Sequence, residues 1–333
     1  MKLSILDQSP IPAGKTAAEA LMASAELAKE GEKAGYARFW VTEHHDLPGL
    51  ACSSPEVLLS YIGAHTKTIL IGAGAVLLPH YKPYKTAENF NMLANLFPGR
   101  INLGLGRAPG GSAEVTMALS DNYLEQVRKF PDSVDELIRF LYKGFPQDHM
   151  FSKVNAAPVP AHSPDVWLLG TSGKSADLAA EHGLAYAFGQ FMSENDGSEI
   201  IERYKNNFQG TAYRAEPETI LTVSAICAET EEKAEELALS SLLWKLQSDN
   251  PETAGGGIPS LEETLSRTYS EKEKETIENG KKRMIIGDPL QVSAKLKEIK
   301  ETSGADEIMV NTITHSFEDR INSYRLIAKA ILG

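Results

Sequence analysis

Residues 167–183 (WLLGTSGKSADLAAEHG) join a strand end to a helix start through small, hydroxyl-bearing residues. Trp167, Leu168 and Leu169 read as the end of a buried strand and Gly170 to Gly173 as a turn. From Ser172 onward, Ala176, Ala179 and Ala180 fall on one helical face, and Gly183 is placed to stop the helix. The first N–H groups of a helix lack partners, and its dipole favours an anion there. Hydroxyls at Thr171, Ser172 and Ser175 add donors, so the turn suits a phosphate, though the same residues also make an ordinary N-cap. Arg107, directly after Gly104-Leu105-Gly106, carries the bidentate donor set that suits a phosphate oxygen or, equally, a structural ion pair. Glu43-His44-His45-Asp46 closes another apolar run. One of those histidines suits general acid–base work, because imidazole titrates near neutrality, and Glu43 is placed to orient a histidine. A metal site is not expected: adjacent residues at a strand end point apart, and no third ligand lies at zinc spacing.

These residues need elements to position them. Short apolar runs at Lys2–Asp7, Arg38–Thr42, Ile69–Leu78, Arg100–Gly106, Val166–Gly170, Leu184–Gly189, Thr219–Cys227 and Glu307–Val310 predict eight strands. Helical patterns alternate with them, including one long helix over Asn122–Tyr142 and others over Thr230–Lys245, Glu271–Arg283 and Pro289–Thr302. Steady alternation implies parallel strands joined by right-handed crossovers, and eight units without a break favour a single (β/α)8 TIM barrel over residues 1–333. Gln247–Arg267 breaks the rhythm with Asn250-Pro251 and three glycines at 255–257. Residues 247–283 are therefore expected to be an insertion between the seventh and eighth strands, a mobile loop or a linker. Active sites of such barrels lie at the C-terminal strand ends, where this chain repeatedly places polar groups. They are Asp7-Gln8-Ser9, Glu43-His44-His45, His80, Arg107, Thr171-Ser172 and Gln190.

Composition narrows the partners. The chain has 333 residues, 42% of them hydrophobic, and a formal net charge of −12, which disfavours nucleic acid and anionic membrane surfaces. The two cysteines, Cys52 and Cys227, form no disulfide framework and fit a reducing, cytoplasmic compartment. The N-terminal MKLSILDQSPIPAGK does not read as a secretory signal, and no apolar run approaches the about 20 residues of a membrane span.

Four segments in register carry a resemblance. TEHH at 42–45, GAGAVLLPHY at 72–81, GRINLGLGRAPG at 99–110 and WLLGTSGKSADLAAEHGLAYAF at 167–188 resemble the bacterial-luciferase-like flavin monooxygenases. GDPLQVSAKLKEI at 287–299 and GADEIMVNT at 304–312 are similar to that family's C-terminal portion. The resemblance implies reduced FMN, or in one branch the deazaflavin F420, at the top of the barrel. It implies a phosphate held by Arg107, Thr171, Ser172 and Ser175, a catalytic His44, and a non-prolyl cis peptide at Gly74–Ala75 behind the flavin ring. It further implies an insertion closing over the site and a homodimer.

The reaction expected is a two-component monooxygenation of a small organic substrate by O2 through a C4a-hydroperoxyflavin, with FMNH2 supplied by a separate NAD(P)H:flavin reductase. Asp7 and Gln190 are candidate substrate contacts. The alternatives are an F420-dependent hydride-transfer oxidoreductase, a non-catalytic flavin-binding protein, and an unrelated phosphate-handling barrel such as an aldolase. The last lacks a Schiff-base lysine near a strand end. Two departures from the light-emitting members stand out: Gly106 where they carry cysteine, and Thr171 where they carry an acidic residue. Luminescence with long-chain aldehyde and a heterologous second subunit are therefore not implied.

Overall fold

In the computed structural model, which describes residues 1–248 and 255–333, eight parallel strands close into a ring. The strands are β1 (Lys2–Asp7), β2 (Arg38–Val41), β3 (Leu70–Leu77), β4 (Ile101–Gly106), β5 (Asp165–Gly170), β6 (Ala185–Gly189), β7 (Thr219–Cys227), β8 (Ile285–Gly287) and β9 (Glu307–Asn311). Pairing runs from β1 in order to β7, then to β9 and back to β1. The eight expected strands thus form a (β/α)8 barrel, and β8 is an addition. Its three residues pair only with Ala225–Cys227, at the upper end of β7, so it lengthens that strand's edge without entering the ring.

The first helices are α1 (Ala17–Lys33), α2 (Pro55–His65), α3 (Pro83–Leu96), α4 (Ala113–Leu119), α5 (Tyr123–Arg128) and α6 (Phe130–Tyr142). After β5 come α7 (Gly173–Glu181), α8 (Gly197–Asn207), α9 (Glu231–Ser248), α10 (Leu261–Ser266), α11 (Glu271–Lys281), α12 (Pro289–Ser303) and α13 (Phe317–Ile331). Their boundaries follow local chemistry. Thr16 and Glu19 form a reciprocal capping box at the start of α1, and Gly35 follows its end at φ +86°. The Asp288 carboxylate accepts from the N–H groups of Leu290 and Gln291 to start α12, which Gly304 ends at φ +65°. The single helix expected over 122–142 is two: α5 stops at Arg128 and α6 restarts at Phe130. Pro131, the second residue of α6, has no N–H to continue the first helix's ladder, and its ring excludes the carbonyl four residues back.

Inside the barrel the residues lie in layers. Ser4, Arg38, Asn102 and Glu307 form a buried polar floor, with Arg38 Nε 2.8 Å from Glu307 Oε1 and Arg38 Nη1 3.1 Å from Asn102 Oδ1. Above it Leu6, Trp40, Trp167, Ala185, Ile220 and Met309 pack together, the two indoles edge to face. The mouth of the barrel begins on top of this apolar layer.

The expected insertion at 247–283 is not a bare loop where it is described. It contains α10 and α11, which pack on α9; residues 249–254 of it lie outside the described residues. The crossover helix of this unit is α12, which packs against α8, α13, β7 and β9.

Candidate functional site

The C-terminal ends of β4 and β5 are neighbours in the sheet, so the barrel brings Arg107 to the turn at Thr171 and Ser172. Arg107 is exposed, and among the described residues its guanidinium has no ion pair and no hydrogen bond. Its charge reaches the hydroxyl of Tyr186 on β6. Burial pushes that phenol up to about 12, opposed by its hydrogen bond with Ser175 and by Arg107. At the turn, the backbone N–H groups of Gly173 and Lys174, the first two of α7, have no partner among the described residues. Asn195 pins the turn by donating from Nδ2 to the Thr171 carbonyl at 2.7 Å. Gly170 is needed here because a Cβ at that position would stand 2.2 Å from Ser175 Oγ.

Ser175 is placed differently from Thr171 and Ser172. Its hydroxyl is buried, donates to the Ser172 carbonyl at 2.7 Å, accepts from the Ser172 N–H at 3.3 Å, and lies 3.0 Å from the Tyr186 hydroxyl. Ser175 thus locks the turn from behind, with the Ser172 hydroxyl 3.4 Å from its own, and the groups that remain open are Arg107, the first two N–H groups of α7 and the Thr171 side chain. These open groups fit an anion, and no carboxylate pairs with Arg107 to compete for it.

The adjoining part of the rim comes from β2 and β3. The Gly74–Ala75 peptide is cis, as expected. The β3–β4 register shifts between Ala73 and Val76 at this point. A Cβ on Gly74 would stand 2.9 Å from Trp40 Cε3 and 3.1 Å from Leu6 Cδ1, so the peptide rests directly on the apolar layer. Thr42 and His44 follow β2, and His44 Nδ1 is 3.0 Å from Thr42 Oγ1. His44 Nε2 has no partner among the described residues. Burial lowers the His44 pKa to about 4, with His45 adding to the fall and Glu43 opposing it. At neutral pH this imidazole is uncharged.

Glu43 orients a histidine, but it is His45. Glu43 Oε1 takes His45 Nε2 at 2.8 Å and the Tyr81 hydroxyl at 2.7 Å, while Oε2 accepts from the Leu77 N–H at 3.0 Å. The 107–111 loop that carries Arg107 is held by three carbonyls: Arg107 accepts from Tyr123, Pro109 from His80 Nε2 and Gly110 from the His45 N–H. The stack of His80 on Tyr123, 5.0 Å between centroids, ties two of those clamps together.

Asp7 and Gln190 are taken up by the scaffold. The Asp7 carboxylate is buried, with Oδ1 accepting from Arg320 Nη1 at 3.0 Å and from the Ser9 N–H at 3.1 Å. The Gln190 amide donates to the Ser193 and Asn195 carbonyls and accepts from the Gly197 N–H at 3.1 Å, closing its own loop. Thr42, Tyr123 and Tyr186 were not singled out in the sequence. Tyr186 did carry a signal: it is the one polar-tipped residue in a strand of small and apolar ones, and a buried phenol needs a partner.

The family model described as luciferase-like monooxygenase matches residues 1–307. The chain is 44% identical over 330 residues to the Bacillus subtilis protein YwcH, covering 99% of each chain. It is 34% identical over 334 residues to the N-acetyl-S-alkylcysteine monooxygenase of Bacillus subtilis, covering 100% of this chain and 99% of the relative. The crystal structure of apo-MsnO8 superposes with a TM-score of 0.86 at 31% identity, covering 99% of this chain and 98% of that one. At the level of fold alone, two more structures are similar over 99% of this chain and 98% of theirs. One is the oxygenating constituent of 3,6-diketocamphane monooxygenase from Pseudomonas putida in complex with FMN (TM-score 0.69, 16% identity). The other is an F420-dependent secondary alcohol dehydrogenase (TM-score 0.63, 15% identity). The chain belongs to the luciferase-like monooxygenase family.

Proposed function

We propose that the protein is the oxygenating component of a two-component monooxygenase, taking reduced FMN from a separate NAD(P)H:flavin reductase and oxygenating a small organic substrate. The observation that carries this reading is the open cationic corner. Among the described residues Arg107 stands without a carboxylate partner beside the unpaired N–H groups of Gly173 and Lys174. When bound, reduced flavin supplies two electrons, so that one atom of O2 enters the substrate and the other leaves as water. The monooxygenase relative at 34% identity supports oxygenation over the F420-dependent hydride transfer known for others of this fold.

The chain's own residues do the rest. Arg107, Thr171, Ser172 and the α7 N-terminus hold the phosphate. Gly74–Ala75, resting on Trp40 and Leu6, offers a shelf with no side chain larger than a methyl for a flat ring. His44 stays neutral at working pH; in the tautomer where the Thr42 hydroxyl donates to Nδ1, its Nε2–H can donate a hydrogen bond into the mouth, and in the other tautomer Nε2 can accept a proton there. In this reading residues 255–283 of the insertion serve as a cover that excludes water. Its Ile258 exchanges backbone hydrogen bonds of 2.8 Å with Ile11 and Ala13 in the loop after β1. A homodimer is the expected assembly.

The test is an anaerobic titration with reduced FMN and, separately, reduced F420, followed by mixing with O2 and substrate. The first substrate to offer is an S-alkyl-N-acetylcysteine, the class named for the 34% relative. Tight FMN binding with oxygenated product is expected. Preference for F420 without oxygen consumption overturns the reading in favour of hydride transfer, and FMN binding without turnover on any substrate reduces the protein to a flavin carrier.

A further inference from the structure

Asn311 is the last residue of β9, and it faces the inside of the barrel. Along that strand Ile308 and Val310 pack in the outer core, whereas Met309 belongs to the apolar layer within the ring. Asn311 is one residue beyond Val310 and so returns to the inner face. Its Cα partners are Leu6 of β1 and Ser224 of β7, which places it at the level where the apolar layer gives way to the mouth. Ser224 shares the inward direction, two residues beyond Thr222 and four beyond Ile220.

Asn311 is 4% exposed, and its Oδ1 is buried with no hydrogen-bond partner. Among the described residues its Nδ2 has none either, and the Ser224 hydroxyl is likewise unpartnered. A buried amide oxygen that accepts no hydrogen bond is unfavourable for folding, because its desolvation is not repaid. A ligand held in the mouth is one way to complete it. Across the ring, the rim from β2 to β5 holds His44, Gly74–Ala75, Arg107 and Thr171, so Asn311 and Ser224 stand on the wall that this machinery leaves free.

We propose that Asn311, with Ser224 beside it, is a recognition subsite for the N–H/C=O edge of a ligand held in the barrel mouth. A carboxamide offers one acceptor and two donors, and the complementary edge pairs one N–H with one C=O. Two bound molecules could present that edge, the pyrimidine part of a flavin and an acylamino substrate. The inference rests on the proposed function only in placing a ligand in this mouth.

The experiment compares the wild type with Asn311→Leu, of similar size and shape, and with Ser224→Ala. Melting of the ligand-free protein is read first. If the amide is unpaired, Asn311→Leu melts at the same temperature as the wild type or higher, since an apolar isostere removes the unsatisfied group. Binding is then read anaerobically with reduced FMN, with N-acetyl-S-benzylcysteine, and with benzyl methyl sulfide, which lacks the amide. A tenfold or greater loss for reduced FMN assigns the subsite to the flavin edge. The same loss for the acetylated sulfide, with benzyl methyl sulfide unchanged, assigns it to the substrate. A lowered melting temperature with all three affinities unchanged overturns the proposal and makes Asn311 a structural residue. Absence of flavin binding by the wild type, with selective loss for the acetylated sulfide in Asn311→Leu, overturns the flavin reading and leaves the subsite standing. Binding of no ligand by the wild type overturns both.

Discussion

Arg107 and His44 make separable predictions. Replacing Arg107 by Ala removes a charge-assisted contact and is expected to cost about 1.5–3 kcal/mol of FMN binding. Riboflavin, which lacks the phosphate, should bind nearly as before; equal weakening of both ligands in parallel titrations would remove Arg107 from the phosphate site. His44 is neutral in the folded protein because burial lowers its pKa to about 4. In the unfolded chain it titrates near 6.5. Between those values the unfolded state binds the proton and the native state does not, so stability falls as pH drops from 6.5 towards 4. Relative to His44→Gln, the wild type should lose up to about 3 kcal/mol across that window, read by urea denaturation at successive pH values. Parallel curves for the two proteins would show that the imidazole is not desolvated. His44→Gln should also lower oxygenation while leaving reduced FMN affinity within about twofold.

The turn between β5 and α7 is a unit whose parts depend on one glycine. Ser175 sits against Gly170, where a Cβ would stand 2.2 Å from its oxygen, and Ser175 also carries the bonds to Ser172 and Tyr186. Gly170→Ala must therefore displace the first turn of α7. A destabilisation of about 1–3 kcal/mol is expected from the overpacking. Calorimetry measures that loss, and FMN titration should show weaker binding because the free N–H groups of Gly173 and Lys174 move with the helix. On the neighbouring strand, the loop after β4 is held through its carbonyls, so almost any sequence could be clamped there. What selects the actual one is space: a Cβ on Gly111 would stand 2.4 Å from the His45 carbonyl and one on Gly110 2.3 Å from Leu77 Cδ1, with Gly110 also at φ +72°.

The barrel as a whole is closed at its floor by a buried charge cluster. Arg38 on β2 pairs with Glu307 on β9, contacts Asn102 on β4 and Glu218 before β7, and lies 4.6 Å from the Trp167 ring centroid. One side chain thus reaches strands from across the ring. Arg38→Met leaves the Glu307 carboxylate buried and uncompensated, which is expected to cost about 3–5 kcal/mol in a urea titration. The double variant Arg38→Met/Glu307→Leu should recover much of that loss, since removing both charges removes the desolvation penalty. Failure of the double variant to recover would mean that packing, and not charge, closes the floor. The mouth lies at the opposite end, separated by the Trp40–Trp167 layer, so single variants in the floor should change stability more than ligand affinity.

Eight strands in alternation with helices, and the rim residues His44, Arg107, Thr171 and Ser172, were legible in the sequence because each rests on a local rule. Apolar runs mark buried parallel strands, and small hydroxylated residues mark a helix start. Contacts between residues distant in the chain were not legible. Asp7 meets Arg320 across 313 positions, so a carboxylate at a strand end that reads as available for substrate is spent on an ion pair. Ser175 reads as an open donor, yet its direction is set by Tyr186 on the next strand. Glu43 lies beside both histidines in sequence, and the side to which the backbone turns gives it to His45. Asn311 is one polar residue at the end of an apolar run; only closure of the ring shows that its amide faces inward with a buried oxygen that accepts no hydrogen bond. Residue type and local periodicity determine which groups stand at the rim, but whether a given group is free or already bound depends on neighbours that only the closed barrel supplies.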